Sequence, residues 1–313
     1  MSTFFILVKR NIKMFFGDLG MFFSAMITPI ILLVLYATFL GNVFKGSFVD
    51  SLKDSGITDI SDFEGVISGM VNGQLLSSLL SVSCVTVSFC SNMIMVQDKY
   101  NGVRRDFTVS PVKGSTLALS YYFGTLIVTL IVTFTATLFG FAFIAINGGW
   151  FLSFNDVLLV LLDVFLLTVF GTALSSVVTF FLNTQGQTSA VGTIVSAGYG
   201  FLCGAYMPMA SFPDGLQKFL SFLPGTYGTS LIKDHCQRGN LREFVTKFPT
   251  DDPEVKAQID AVVEGIKKGI DCDMYFFGTR VTDLAKYLVL IGAIVLLIAV
   301  FVLLGYLGKR KSK

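Results

Sequence analysis

The sequence predicts an all-α integral membrane protein. The expected parts are six transmembrane helices, an N-terminal amphipathic interfacial helix, a re-entrant element after the fifth span and a small extracellular insert before the sixth. Three observations predict this. Hydrophobic residues make up 53% of the chain and charged residues 14%, against about 25% charged in an ordinary soluble domain. Mean hydropathy is +0.72, and several windows exceed the roughly 20 apolar residues needed to cross a bilayer. Compact groups of cations lie at the start of the chain, in an island at 97–114, and at the end; the insert at 233–284 also holds many, but long translocated segments bear little on orientation. Short alternating strands are absent, which argues against a membrane barrel.

The elements follow in order. In the first, 1–18, Phe4, Phe5, Val8, Ile12, Phe15 and Phe16 share one helical face, with Lys9, Arg10 and Lys13 mostly opposite. Such a basic amphipathic helix lies in the interface plane. No small-residue cleavage site stands out, which argues against a signal peptide. Residues 19–232 hold five spans, expected at 19–40, 69–96, 116–146, 155–182 and 188–208. Pro29 lies inside the first and is tolerated in a membrane helix. Residues 41–68 are polar and acidic and suit an outer loop. Asn147-Gly148-Gly149 ends the long uncharged run after the island, and the short stretch 183–187 makes the fourth and fifth spans a hairpin. Residues 209–232, with Pro213 and Pro224, are too short for a crossing and read as re-entrant. Residues 233–284 read as a soluble extracellular insert packed on the outer face. Within it, Asp252-Pro253 starts a helix carrying Val255, Ile259, Val262, Val263 and Ile266. The sixth span, at 286–308 within 285–313, ends in Lys309, Arg310, Lys311 and Lys313. An even number of spans puts the basic start, island and tail on one side, so both termini are expected in the cytoplasm.

Candidate functional residues fall into few groups. The island carries Lys99, Arg104, Arg105 and Lys113 against Asp98 and Asp106. It is the one internal place where a soluble cytoplasmic partner could grip the chain. Small residues repeat at four-residue spacing at Gly69, Gly73, Ser77 and Ser81, and again at Thr188, Gly192, Ser196, Gly200 and Gly204. Such stripes let helices approach closely, within one subunit or between two. Asp163 is the one carboxylate clearly inside an apolar segment, at a cost of roughly 2.5–3.5 kcal/mol at a helix centre. It is either a coupling group for a proton or substrate, or the acceptor of a structural hydrogen bond from a neighbouring helix; the second reading carries more weight. Cys236 and Cys272 are either a disulfide on the oxidising side or two free thiols. Five Cys without zinc spacing and a single His, His235, give no metal site. No Gly-x-x-x-x-Gly-Lys-Ser/Thr phosphate loop occurs, and no nucleophile–base arrangement suggests an enzyme. No internal repeat is evident, which weighs against the common secondary-carrier folds.

Two stretches carry a resemblance. The run Gln97-Asp98-Lys99-Tyr100-Asn101-Gly102, continuing to Phe107-Thr108-Val109-Ser110-Pro111, resembles the first cytoplasmic loop of type-2 ABC exporter permeases. The runs Gly204-Ala205-Tyr206-Met207-Pro208 and Leu223-Pro224-Gly225-Thr226-Tyr227 resemble that family's re-entrant element. The layout of the whole chain is similar as well. The departures are Gln97-Asp98, where glutamate is more usual, and the large insert at 233–284. The resemblance implies a transport subunit in the cell membrane that pairs with a second permease, a copy or a paralogue, and binds ABC ATPase subunits. ATP and Mg would then sit on the partner, with no cofactor on this chain and no nucleic acid. It implies coupling contacts by Asp98, Gly102, Arg104, Arg105 and Pro111. It also implies a pathway or subunit interface near Gly192, Ser196, Gly200, Gly204, Ser77 and Ser81. An apolar pathway of this kind suits an amphipathic or lipid-like cargo such as a drug, antibiotic peptide, lipid or glycolipid. Two alternatives stand beside this reading: an ion-coupled carrier using Asp163, and a sensor or immunity protein whose outer insert binds a ligand.

Overall fold

The computed structural model describes residues 3–54, 63–110, 112–248 and 252–310. The chain is a bundle of helices organised around α4 (Glu64–Ser91), nearly all of whose side chains are buried. The amphipathic helix α1 (Thr3–Gly17) precedes α2 (Leu19–Leu35), which Asp18 caps through its carboxylate on the Met21 N–H. A π-helical segment, Tyr36–Leu40, leads directly into α3 (Gly41–Asp54). The outer loop expected at 41–68 therefore starts as helix, because Val43, Phe44 and Phe48 continue the apolar pattern past Gly41. Phe44 stacks on Tyr36, whose hydroxyl donates to the Val71 carbonyl at 2.7 Å. Residues 55–62 of that loop lie outside the described residues.

After α4 come α5 (Met93–Tyr100) and the short α6 (Val103–Val109), which together form the charged island. Next are α7 (Gly114–Asn147), α8 (Phe154–Phe180) and α9 (Gln185–Leu202). The starts of α8 and α9 are fixed by capping boxes, Ser153 with Asp156 and Thr184 with Gln187. Among the described residues, five helical stretches are long and apolar enough to span a membrane: Leu19–Asp50, Glu64–Tyr100, Gly114–Asn147, Phe154–Phe180 and Asp283–Leu307. The helix at the place of the expected fifth span, α9, has 18 residues and is rich in Gly, Ser and Thr. It reaches about 27 Å, just short of the roughly 30 Å hydrocarbon thickness.

The segment expected to be re-entrant holds a 3₁₀ turn, Met209–Ser211, and α10 (Asp214–Leu220). The largest departure follows. The boundary expected at 232/233 falls inside one helix, α11 (Pro224–Thr246), which is polar in composition yet lies in the core against α4 and α8. Its start at Pro224 uses the first helical turn, where no N–H is needed. The close approach to α4 runs over the glycine stripe. A Cβ on Gly69 would lie 2.4 Å from Asn240 Oδ1, and one on Gly73 3.1 Å from the Cys236 carbonyl. The amphipathic α12 (Pro253–Gly269) forms where Asp252-Pro253 predicts it. A two-residue hairpin, β1 (Tyr275–Phe276) and β2 (Thr279–Arg280), leads to α13 (Asp283–Arg310).

Candidate functional site: an apolar groove and a charged loop

A groove of about 1210 Å³ runs between α2, α4 and α9. It extends from Met93, Thr179 and Leu182 at the island end to Ile266 and Ile270 of the α12 region at the other. Ile27, Ile31, Leu35 and Phe39 of α2 form one wall, and Gly192, Ser196 and Phe201 of α9 the facing one. Among the described residues, no Asp, Glu, Lys, Arg or His lines it; its polar groups are hydroxyls such as Ser24, Ser78 and Ser196. Because the α2 side chains that form the wall also reach outward, Ile27, Ile31 and Phe39 are all more than half exposed. A contiguous exposed apolar face of this size belongs in lipid or against another protein surface.

The small-residue positions separate in this setting. Gly192 and Ser196 line the groove. Gly200 is buried beneath the Tyr206 ring, which a Cβ there would meet at 2.2 Å. Gly204 ends α9 in a left-handed conformation, φ +73°, with Ala205 N–H on the Gly200 carbonyl and Gly204 N–H on the Phe201 carbonyl. Ser77 and Ser81 do not reach the groove; both are fully buried in the bundle, and Ser77 donates to the Gln74 carbonyl at 3.0 Å. On α4 it is Ser78 that faces the groove, donating to the Ala205 carbonyl at 2.6 Å.

Asp163 is fully buried in α8 and does not line the groove. His235 Nδ1 of α11 lies 2.5 Å from one carboxylate oxygen, and the Tyr287 hydroxyl of α13 donates to the other at 2.6 Å. The carboxylate thus ties three helices together. His235, expected far out in a soluble insert, is 2% exposed. The rest of α11 is satisfied likewise. Lys233 donates to the Gly204 carbonyl and Asp271, Gln237 to the Met70 carbonyl, and Asn240 to the Gly69 carbonyl. Also on this helix, burial opposes ionisation of Asp234, but Lys267 and Arg238 outweigh it and hold the carboxyl below its ordinary range. Cys236 and Cys272 are both buried, free thiols, in different hydrophobic clusters.

The charged island is built differently from the exposed contact loop that the sequence suggests. Asp98 is 1% exposed. Arg10 of α1 donates to it through both terminal nitrogens, each at 2.7 Å, and Tyr121 of α7 donates at 2.6 Å. The hydrogen bond from Arg10 to Asp98 raises the Arg10 guanidinium above its ordinary value, against the cost of burial. Asp98 therefore positions the loop from inside the protein. Lys99 donates to the carbonyls of Thr179, Phe180 and Leu182 and so closes the C-terminus of α8. Gly102 turns the chain at φ +80° between α5 and α6. Arg104 lies over the Phe180 ring, 5.2 Å from its centroid. The Arg105 backbone belongs to α6, and Pro111 lies outside the described residues. Among the described residues of the island, Tyr100, 67% exposed, and Val109, 87% exposed, face solvent, with Asn101, Asp106 and Lys113. Sequence reasoning passed over Tyr100 and Val109; the available signal was an aromatic and an aliphatic residue inside a charged loop.

A family model described as ABC-2 family transporter protein matches residues 53–308, which takes in α4 to α13, the groove wall on α9 and the whole island. A comparison with curated proteins finds no match. With a family match over most of its length and five membrane-length helices among the described residues, the chain belongs to the ABC-2 transporter family and is the membrane permease of an ABC transporter.

Proposed function

We propose that the chain is the permease of an ATP-driven exporter in the cell membrane, with both termini cytoplasmic. It pairs with a second permease, a copy or a paralogue, through the exposed faces of α2 and α9. The cargo is amphipathic or lipid-like and carries no charge on the part that enters the groove. The observation behind this reading is the groove itself, which runs the depth of the bundle without an ionisable Asp, Glu, Lys, Arg or His among its described lining residues. Burying an unpaired charge there would cost several kcal/mol, so neutral apolar cargo is selected. ATP and Mg are bound by a separate ABC ATPase, which docks on the solvent-facing side of the island around Tyr100 and Val109.

The test is a pull-down from native membranes in mild detergent, assayed for ATPase activity, with Tyr100→Ala and Val109→Asp as loop variants. An ATPase partner captured by the wild type and lost by both variants is expected. No ATPase partner for the folded wild type would overturn the reading.

A further inference from the structure

The groove ends beneath a short unwound segment, and that segment is fastened. After α9 closes at Gly204, residues Ala205, Tyr206, Met207 and Pro208 form the end wall of the groove, opposite Ile266 and Ile270. Three side chains hold this wall by its backbone. Ser78 of α4 donates to the Ala205 carbonyl at 2.6 Å. Lys233 of α11 donates to the Gly204 carbonyl at 2.7 Å. Asp271, just past α12, accepts the Met209 N–H at 2.8 Å. Lys233 and Asp271 also pair with each other at 3.3 Å, the lysine with none of its side chain exposed and the aspartate with 8%. Asp271 itself sits at φ +59°, a backbone region that Asp tolerates better than most residues. Its neighbour Cys272 is fixed on the bundle side, where its carbonyl accepts from Ser230 of α11 and Lys286 of α13, each at 2.9 Å. Both members of the ion pair thus grip the backbone of the groove wall, the lysine from α11 and the aspartate from a turn anchored to α11 and α13.

Two buried charges are a costly way to hold a loop, since an apolar pair of similar volume is often as stable. What the pair adds is a discrete on–off contact: once Lys233 leaves the Gly204 carbonyl, the side-chain bonds from the bundle to the wall are those of Ser78 and Asp271. We propose that Lys233 and Asp271 form a latch that keeps residues 204–209 closed across the outer end of the groove, and that cargo leaves when this latch releases. The placement of this end on the outer side, and its use by cargo, rest on the topology and transport proposed above, whereas the closed contact itself does not. Lys233 and Asp271 act here as positioning residues and need not touch cargo.

The chain carries its own reporters. Cys203 directly precedes Gly204, and Cys272 directly follows Asp271; both are buried and free. Burial pushes the Cys272 thiol well above its ordinary range, so it is protected chemically as well as sterically while the wall is closed. Cys84, deep in the bundle core, serves as the control. The experiment is maleimide labelling of the full chain in lipid nanodiscs, where both faces are accessible, with each cysteine read by peptide mass spectrometry. Lys233→Met breaks the latch. The double variant Lys233→Met/Asp271→Asn also leaves no unpaired charge, so it retains the fold, and its Asn still accepts from Met209. Labelling of Cys203 and Cys272 is expected to rise about tenfold or more in both variants, as for a local opening, with Cys84 still protected. Unchanged labelling in the double variant would overturn the latch, and so would a parallel rise at Cys84, which reports general loosening. Because no ATPase or cargo is present, a negative result here is separate from failure of the transport reading.

Discussion

Removing Arg10 tests whether α1 and the charged loop form one mechanical unit. Arg10 gives Asp98 two hydrogen bonds of 2.7 Å, and Tyr121 supplies a third at 2.6 Å. Stranding one member of a buried ion pair costs about 3–5 kcal/mol. The Arg10 side chain keeps 27% of its surface in solvent while Asp98 keeps 2%, so water can enter the vacated side and the lower end applies. Arg10→Met is therefore expected to destabilise the protein by about 3 kcal/mol. Asp98→Asn keeps a carbonyl acceptor for Tyr121 and one Arg10 bond, and is expected to cost about 2 kcal/mol. If the pair acts as a unit, the double variant falls short of the sum by about 1.5 kcal/mol. Equilibrium unfolding in mixed micelles, followed by the single tryptophan Trp150, gives the stabilities. Trypsin cleavage at Lys9 and Lys13 reports release of α1 from the bundle. Penalties that add to within about 0.5 kcal/mol would refute the coupling, as would trypsin protection identical to wild type in Arg10→Met.

Three further outcomes follow from the geometry. Asp163→Asn retains an acceptor for Tyr287 and is expected to leave transport within about threefold, whereas Asp163→Ala strands His235 and Tyr287 and costs about 3 kcal/mol in unfolding; transport abolished in Asp163→Asn with assembly intact would show the carboxylate to be a coupling group. At Gly102 a Cβ would meet nothing within 4 Å, so the penalty of Gly102→Ala is the positive φ alone, about 1 kcal/mol; a displaced loop should then weaken ATPase capture, and unaltered capture would mean that the turn does not set the docking surface. Gly192 faces the open groove, so Gly192→Leu is expected to stop transport while leaving stability unchanged or raised by up to about 1 kcal/mol; transport at the wild-type rate would place the pathway elsewhere.

Five membrane-length helices were legible because their signal is local, hydropathy over a window ended by breaks such as Asn147-Gly148-Gly149; the fifth expected span, α9, falls short of that signal because Gly, Ser and Thr dilute it. The helix α11 was not legible for the opposite reason. Its Lys, Asp, His, Gln and Asn side chains look like solvated surface until their partners are known, and Gln237 and Asn240 find theirs at Met70 and Gly69, over 160 residues away. The stripe at Gly69 and Gly73 correctly announced a close helix contact, yet nothing in it says that the partner is polar. Composition averages likewise placed His235 outside, whereas pairing with Asp163 puts it in the core. In the island, the turn at Gly102 is a local property and could be read directly. The burial of Asp98 depends on Arg10, 88 positions earlier, so an acidic residue in a basic loop was naturally taken for an exposed contact.

If the island receives a push from the proposed ATPase, Asn92 is the expected route by which it reaches the groove. It stands at the break between α4 and α5, and its side chain joins three helices. Its amide donates to Ser175 at 2.5 Å and Ser176 at 3.1 Å on α8, and its carbonyl accepts from Thr125 of α7 at 3.0 Å. Lys99 fastens the same end of α8, and Asp98 fastens α1 and α7. Motion of α5 and α6 therefore carries α1, α4, α7 and α8 together, because sliding any one of them would strand buried polar groups at about 1–3 kcal/mol each. Among the described residues the α2 wall is tied to this body by fewer polar links, the Tyr36 hydroxyl on the Val71 carbonyl and the Cys90 thiol on the Ser24 carbonyl, so the groove is expected to change width by movement of this body against α2. Asn92→Leu is close in volume and removes these links, leaving Ser175, Ser176 and Thr125 without their side-chain partner. It is expected to preserve ATPase binding and basal hydrolysis while lowering transport per ATP at least about tenfold, the loss expected when about 1.4 kcal/mol of coupling is removed. If transport and hydrolysis instead fell in proportion, Asn92 would serve the fold alone, and the push would have to travel by the backbone of α4.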